Sequence, residues 1–341
     1  MQNIEWLTMD EAERRISLQQ ASARSGISVK AIEKDWWVTL ALKAVFNLPF
    51  AKHIQFKGGT SLSKCWHLIE RFSEDVDLSI DRKFLGFAED LSKSRVKHLK
   101  KAASLFTSTI FRRALDDELL RLGVPGGMLQ VIAEPIPKTI PDIDPQVIRI
   151  NYASLVDPVT YIEDSVKIEV SARSLKEQGT ERKIQSLLGE HMPDQSWSDD
   201  PFLVTAVEPK RTFLEKIFLL HEEFLRPVGE INYNRMSRHL YDLERMIDTE
   251  HSHAALANKE YYDRIVLHRR KFIFKQGVDY DSLRPETLSF LPPSEVMERY
   301  KNDYAQMKEQ MIYGENVPEF ETLILRLKVL LEKIKRLGSS M

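Results

Sequence analysis

The chain has 341 residues, 43% hydrophobic and 29% charged, the balance of a globular protein able to build a sizeable core. Its 49 Lys and Arg against 51 Asp and Glu give a formal net charge of -2, which excludes coating of nucleic acid through bulk positive charge and leaves only local patches for such binding. The single cysteine, Cys65, excludes an internal disulfide and a thiolate metal cluster, and no apolar run approaches a membrane span.

The N-terminus MQNIEWLTMDEAERR carries early acids and no cationic start before a greasy stretch. No secretory leader is therefore expected, and a cytoplasmic location is the default. Residues 8–25 read as a helix capped by Thr8 or Asp10, with Ala12, Ile16 and Ala21 near helical spacing. A second, well-buried helix is predicted over 28–46, capped by Ser28. HIQFKGGTSLSKCWHLIERF then reads as a strand, a glycine turn and a helix from Leu62 to Phe72, and SEDVDLSID as another strand. Residues 88–122 are charged and helical, whereas 123–145, with five prolines and three glycines, predict loops and short extended pieces. QVIRINY (146–152) and SVKIEVSA (165–172) alternate with the strand period of two. Residues 189–209 are loop-rich, and after Lys210 every segment reads as an amphipathic helix. The pattern predicts an α+β front half over 1–205 and an all-helical domain over 206–341.

Three features carry chemistry. Lys57-Gly58-Gly59-Thr60-Ser61-Leu62-Ser63-Lys64 places paired glycines between strand and helix, where backbone can approach a ligand closely. Thr60 or Ser61 would cap the helix, its free amides favour an anion, and Lys57 and Lys64 add point charges. The spacing is neither a Walker P-loop nor a dinucleotide fingerprint. Taken alone, an ordinary capped turn explains it as well. Asp75-Val76-Asp77 puts two carboxylates on one side of a strand. Two like charges side by side repel unless a cation lies between them, and a hard oxygen pair suits magnesium rather than zinc. A phosphate cradle followed, one short helix later, by a metal-binding pair is what a nucleoside triphosphate with magnesium requires. Glu169, on the face of SVKIEVSA shared with Lys167 and Ser171, becomes a third carboxylate if that strand lies beside the one carrying Asp75 and Asp77. Three acids can hold two metals roughly 3.5–4 Å apart for in-line phosphoryl displacement.

FKGGTSLSK and FSEDVDLSI, with EKDWWVTLAL upstream and KIEVSAR, TFLEKIFLLHEE, SRHLYDLERM, HRRKF, NDYAQM and PEFETL downstream, resemble the nucleotidyltransferase AbiEii/AbiGii toxin family. That family is a branch of the DNA polymerase β-like nucleotidyltransferase superfamily, and the resemblance covers nearly the whole chain in order. It implies a nucleotidyltransferase-type mixed sheet flanked by helices, with an all-helical C-terminal domain. It assigns Gly58, Gly59 and Thr60 to a phosphate-gripping turn, Asp75 and Asp77 to metal, and Glu169 to the third acid, where many superfamily members have Asp. Lys216 matches a lysine near the triphosphate and Asp242 a second-domain carboxylate, with Arg235 and Arg238 on the same helix.

Local pattern reads the helical half more plainly. Lys216 lies off the stripe of Phe213, Ile217, Leu220 and Phe224, so a solvated lysine is an equal reading. Asp242 could simply pair with Arg238 four residues before it. His221 and His239 read as core or rim residues, and Arg269-Arg270-Lys271 with Phe272, Phe274 and Lys275 as either a solvated helix face or a grip on a nucleic-acid backbone.

The function implied is that of a toxin of an abortive-infection or toxin–antitoxin system: magnesium- or manganese-dependent transfer of NMP from an NTP to an RNA 3′ hydroxyl, tRNA first among acceptors. A cognate antitoxin is the implied partner, and no membrane is involved. Transfer to a protein hydroxyl and a non-catalytic nucleotide-binding module are the alternatives. Gly58, Gly59, Thr60, Ser61, Lys64 and Arg238 are the expected substrate-binding residues.

Overall fold

The structure, a computed structural model, describes residues 4–88, 90–140, 142–159, 162–275 and 277–339, so residues 1–3 of the N-terminal reading lie outside it. The chain divides into two compact units. The first runs to Cys65 and resumes over Phe72–Val207; the second takes Trp66–Arg71 and the chain from Glu208 onward.

The first unit is built on one sheet. Its strands are β1 (Ile54–Lys57), β2 (Asp75–Ile80), β3 (Leu129–Ala133), β4 (Gln146–Tyr152), β5 (Ser165–Ser171), β6 (Thr180–Ile184) and β7 (Phe202–Ala206). They lie in the order β3-β4-β5-β2-β1-β7-β6. The β2–β5 and β1–β7 pairs are parallel and the others antiparallel, so the sheet is mixed. Alternation decides the faces. Val76, Leu78 and Ile80 of β2 and Val166, Ile168 and Val170 of β5 are buried, and the half-exposed Asp75, Asp77, Lys167 and Glu169 take the other side.

Helix Val29–Asn47 packs on β2, β5 and β7 and against helices 11–25, 112–121 and 187–191. This all-round contact is why Lys30, Glu33, Lys34 and Asp35 are buried along with its apolar residues. Buried charges need partners. Lys34 Nζ donates to Glu74 Oε2 at 3.1 Å, to the Glu163 carbonyl at 2.6 Å and to that of Ser165 at 2.5 Å. One ammonium thereby ties the starts of β2 and β5 together and holds them level. Burial depresses the Lys34 pKa, with Glu74 working against the shift.

Ser28 caps this helix on Ala31 N–H, as its position suggests. The preceding helix spans Glu11–Ser25, with Asp10 rather than Thr8 as its cap, and closes on Gly26 in the left-handed region. The charged stretch 88–122 forms helices Lys93–Phe106 and Arg112–Arg121, joined by a π turn. The short extended pieces expected in 123–145 include the edge strand β3. Two expectations need correction. The loop-rich stretch 189–209 contains β7, paired with the unforeseen β6 at the opposite edge of the sheet.

The second correction concerns the helix expected from Leu62 to Phe72. The helix formed is Gly58–Lys64, and it stops where His67 enters the left-handed region at φ 51°. Residues 66–71 belong instead to the second unit. There Arg71 bridges to Ile312, and the Glu70 carbonyl accepts from Tyr313 and Gly314 N–H. That unit is helical among its described residues apart from this bridge and short 3-10 and π turns. It contains Pro209–Phe224, Ser237–Met246, Glu250–Ala257, Lys259–His268, Ser294–Gln310 and Phe320–Ser339. No helix among the described residues is long and apolar enough to cross a membrane.

Candidate active site

Register brings the three acids together. In the parallel β2–β5 pair Asp77 lies opposite Glu169 and Asp75 opposite Lys167. On the far side of β2, Lys57 lies opposite Asp77; on the far side of β5, Val147 lies opposite Glu169 and Arg149 opposite Lys167. One sheet face therefore carries an acidic centre in a basic frame. Arg149 is committed to Glu134 at 2.7 Å and Glu163 at 2.9 Å. Lys167 forms an ion pair with Glu169. Burial works against the Lys167 charge, but Glu169 beside it, aided by Asp75 and Asp77, holds its pKa above that of an ordinary lysine. Sequence reasoning passed over Lys167 because on an alternating strand it reads as one more polar position.

The glycine turn adjoins these acids. Gly58 has φ +81°, and a Cβ there would sit 2.8 Å from Asp77 Cγ and closer still to Oδ2. Only glycine allows the turn and the carboxylate to approach so closely. The Thr60 hydroxyl donates to the Asp75 carbonyl and bonds Ser73 Oγ at 2.9 Å, which ties the turn to the strand bearing the acids. Gly58→Ala is expected to cost ~1–2 kcal/mol from the left-handed backbone alone. By pushing Asp77 aside it should also lower nucleotidyl transfer about tenfold or more. A thermal melt beside an initial-rate assay separates the two effects.

Some assignments at this turn change. The helix starts at Gly58 with Lys57 as its N-cap residue, so neither Thr60 nor Ser61 caps it; both are buried inside the first turn. What the turn can offer an anion is the backbone amides of Gly58, Gly59 and Thr60, which precede the first intrahelical bond. Lys64 is not a point charge for a phosphate. It is buried, with Nζ 2.7 Å from Asp35 Oδ1, and Asp35 outweighs burial to raise its pKa. The single cysteine that follows is buried too, which pushes its thiol pKa up to about 12.

In the helical unit Lys216 and Asp242 meet, 2.8 Å apart and both buried. Lys216 is thus not a solvated lysine, and the pairing of Asp242 with Arg238 gives way to a different one. Arg71 grips Asp242 with Nε to Oδ1 at 2.7 Å and Nη2 to Oδ2 at 2.8 Å. Lys216 also reaches His239 Nδ1 at 3.2 Å. Burial with the nearby Arg71 and Arg238 depresses the Lys216 pKa although Asp242 opposes it, and burial with Lys216 depresses that of His239 well below the usual value. The imidazole is therefore neutral, and Nδ1 accepts from the ammonium. Arg71 was missed because nothing local marks a partner 171 residues away, and His239, read as a core or rim residue, meets Lys216 across 23 residues. The helix bearing Asp242 is set by Asp303, whose carboxylate accepts from Arg235 and Ser237 N–H at 2.7 and 2.9 Å.

The basic run offers less to nucleic acid than its composition suggests. Arg269 is buried against Glu222 at 2.7 Å, Lys275 stands 3.6 Å from the same carboxylate, and Arg270 pairs with Asp281. His221 is a core residue, accepting from Ser289 N–H at 2.9 Å and bonding Ser282 Oγ at 2.8 Å. A cavity of about 150 Å³ in the helical unit, lined by Leu256, Tyr262, Arg284 and Ile334 among others, involves none of the acids.

Among the described residues no group of three or more His, Cys, Asp or Glu stands together as a metal cage. The oxygen donors of Asp75, Asp77 and Glu169 are of the kind a hard divalent ion takes, and Glu169 is bound to the Lys167 ammonium.

A family model described as nucleotidyl transferase AbiEii toxin, type IV TA system, matches residues 40–326. No curated protein matches the chain. Among solved structures the chain is similar to MenT4, a nucleotidyltransferase toxin from Mycobacterium tuberculosis H37Rv, at 14% identity and a TM-score of 0.43, over 97% of this chain and 99% of that one.

Proposed function

Because the chain belongs to the AbiEii family of nucleotidyl transferase toxins of type IV toxin–antitoxin systems, we propose that it transfers a nucleoside monophosphate from an NTP to the 3′ hydroxyl of an RNA, with tRNA the first acceptor to test. The observation that supports this best is the register Asp77 to Glu169 beside a glycine turn that only glycine can bring against Asp77. In this reading the amides of Gly58 to Thr60, with Ser61 in the same turn, would hold the phosphates, and Asp75 and Asp77 would hold magnesium or manganese with Glu169 as third ligand or base. The metal supplies charge neutralisation at the triphosphate. The acceptor oxygen bonds to the α-phosphorus, the bond to the β-phosphate oxygen breaks, and its electron pair leaves with pyrophosphate. The acceptor proton passes to the Glu169 carboxylate. Most of the acceleration comes from positioning and preorganised charge. Lys216 and Asp242 are proposed to serve the same reaction, Asp242 by holding the lysine in place, and growth arrest relieved by a cognate antitoxin in the cytoplasm is the expected consequence.

The test is incubation of the protein with each of the four α-labelled ribonucleotides and a cell lysate, followed by RNase or protease. Label lost to RNase supports an RNA acceptor. Label lost only to protease redirects the reading to a protein hydroxyl, and no incorporation from any nucleotide removes the proposed activity.

A further inference from the structure

Lys167 has no part in the reaction as drawn, yet it stands inside the acid site. It lies opposite Asp75 across the β2–β5 pair, two residues from Glu169 on the same strand face, and its ammonium is bound to that carboxylate. Of the other cations in these cross-strand rows, Arg149 is held by Glu134 and Glu163, and Lys57 lies opposite Asp77 on the far side of β2 from Glu169. Three carboxylates on adjoining strands repel one another when no cation is among them. A resident ammonium reduces that repulsion, and it competes with any metal for the Glu169 oxygens.

We propose that Lys167 is the internal counter-cation of the acid site: it occupies Glu169 in the nucleotide-free protein and releases it when metal arrives with the triphosphate. The inference rests on the metal-dependent reading above and adds an order to it. Free metal meets a site whose charge is already partly compensated and whose Glu169 is already occupied, and it binds weakly. Metal carried by a triphosphate brings negative charge that receives the displaced ammonium, so Lys167 moves from carboxylate to phosphate. The enzyme then loads metal and nucleotide together. Lys167 is a positioning residue in this scheme, acting through Glu169. Its side chain is 31% exposed, so replacing it opens no core cavity.

Manganese binding to the full chain, followed by the electron paramagnetic resonance of free Mn2+, tests this without reference to turnover. If the ion pair is closed ~90% of the time or more, Lys167→Met should bind Mn2+ about tenfold tighter than the wild type in the absence of nucleotide. Lys167→Arg, which keeps the charge, should bind like the wild type. A non-transferable α,β-methylene triphosphate should narrow the gap between Met variant and wild type. Asp75→Asn with Asp77→Asn in the Met background should abolish the gain. Without metal, Lys167→Met should melt below the wild type, and added Mn2+ should raise its melting point more. Equal or weaker Mn2+ binding by Lys167→Met, with binding still lost on removing the two aspartates, overturns the counter-cation role and leaves the metal reading intact. No aspartate-dependent Mn2+ binding in any variant, with or without nucleotide, overturns both.

Discussion

Asp75→Asn combined with Asp77→Asn is expected to lower nucleotidyl transfer by at least about a thousandfold, or ~4 kcal/mol of transition-state stabilisation. The amides keep the shape and remove both charges. A triphosphate transition state depends on charge neutralisation more than on any other contribution of the protein, so losing both ligands removes most of the catalytic effect. Stability should move little, by about 1 kcal/mol or less, because the two side chains are half-exposed and their mutual repulsion is lost along with their attraction to Lys167. Labelled-nucleotide transfer beside a thermal melt checks both halves. Wild-type transfer by a folded double variant would mean that these carboxylates hold no metal. Glu169→Gln should cost less than the double change if Glu169 acts mainly as base, because solvent can take the proton in its place.

What local pattern could and could not reveal follows from how far apart the interacting residues lie. The DVDLSI and VKIEV alternations show their buried faces directly, since period-two burial is a property of the strand itself. Their adjacency is not local; it is fixed by β2–β5 pairing and by Lys34 clamping both strand starts. The caps Asp10 and Ser28 act three residues away and are readable, whereas the helix bearing Asp242 is capped by Asp303, 66 residues on from Ser237. WHLIERF has apolar spacing compatible with a helix, but its backbone pairs with 312–314 and its arginine with Asp242, and tertiary contacts override propensity. Edge strand β6 hides because its outward positions are polar and the run is short. Lys64 illustrates the converse. Its place after a glycine turn suggests a phosphate ligand, and only the fold reveals Asp35 waiting inside the unit.

Asp242 is where removing one charge should destabilise the helical unit most. Its carboxylate has no exposure and lies between Arg71 and Lys216, themselves 2% and 6% exposed. Asp242→Asn leaves two buried cations without their anion, a change that typically costs ~3–5 kcal/mol. Burial works to raise the Asp242 pKa, but Arg71 and Lys216 outweigh it and hold the carboxyl well below the usual carboxylate range. A depressed acid contributes stability above its unfolded pKa, ~3.9 for aspartate, and loses it as pH falls through the folded value. The gap between wild type and Asp242→Asn should therefore be constant from about pH 5 to neutrality and close progressively below about pH 4. Lys216 gives a second signature of opposite sign. Its pKa is already depressed by burial and Arg71, and without Asp242 it must fall further. The unfolded chain then binds more protons than the folded one on the alkaline side, so the variant should gain stability as pH rises toward the ordinary lysine value of about 10.4. Urea midpoints followed by helical circular dichroism across this pH series measure both slopes. A gap that ignores pH would show that packing, and not the carboxylate charge, holds Arg71 and Lys216 in place.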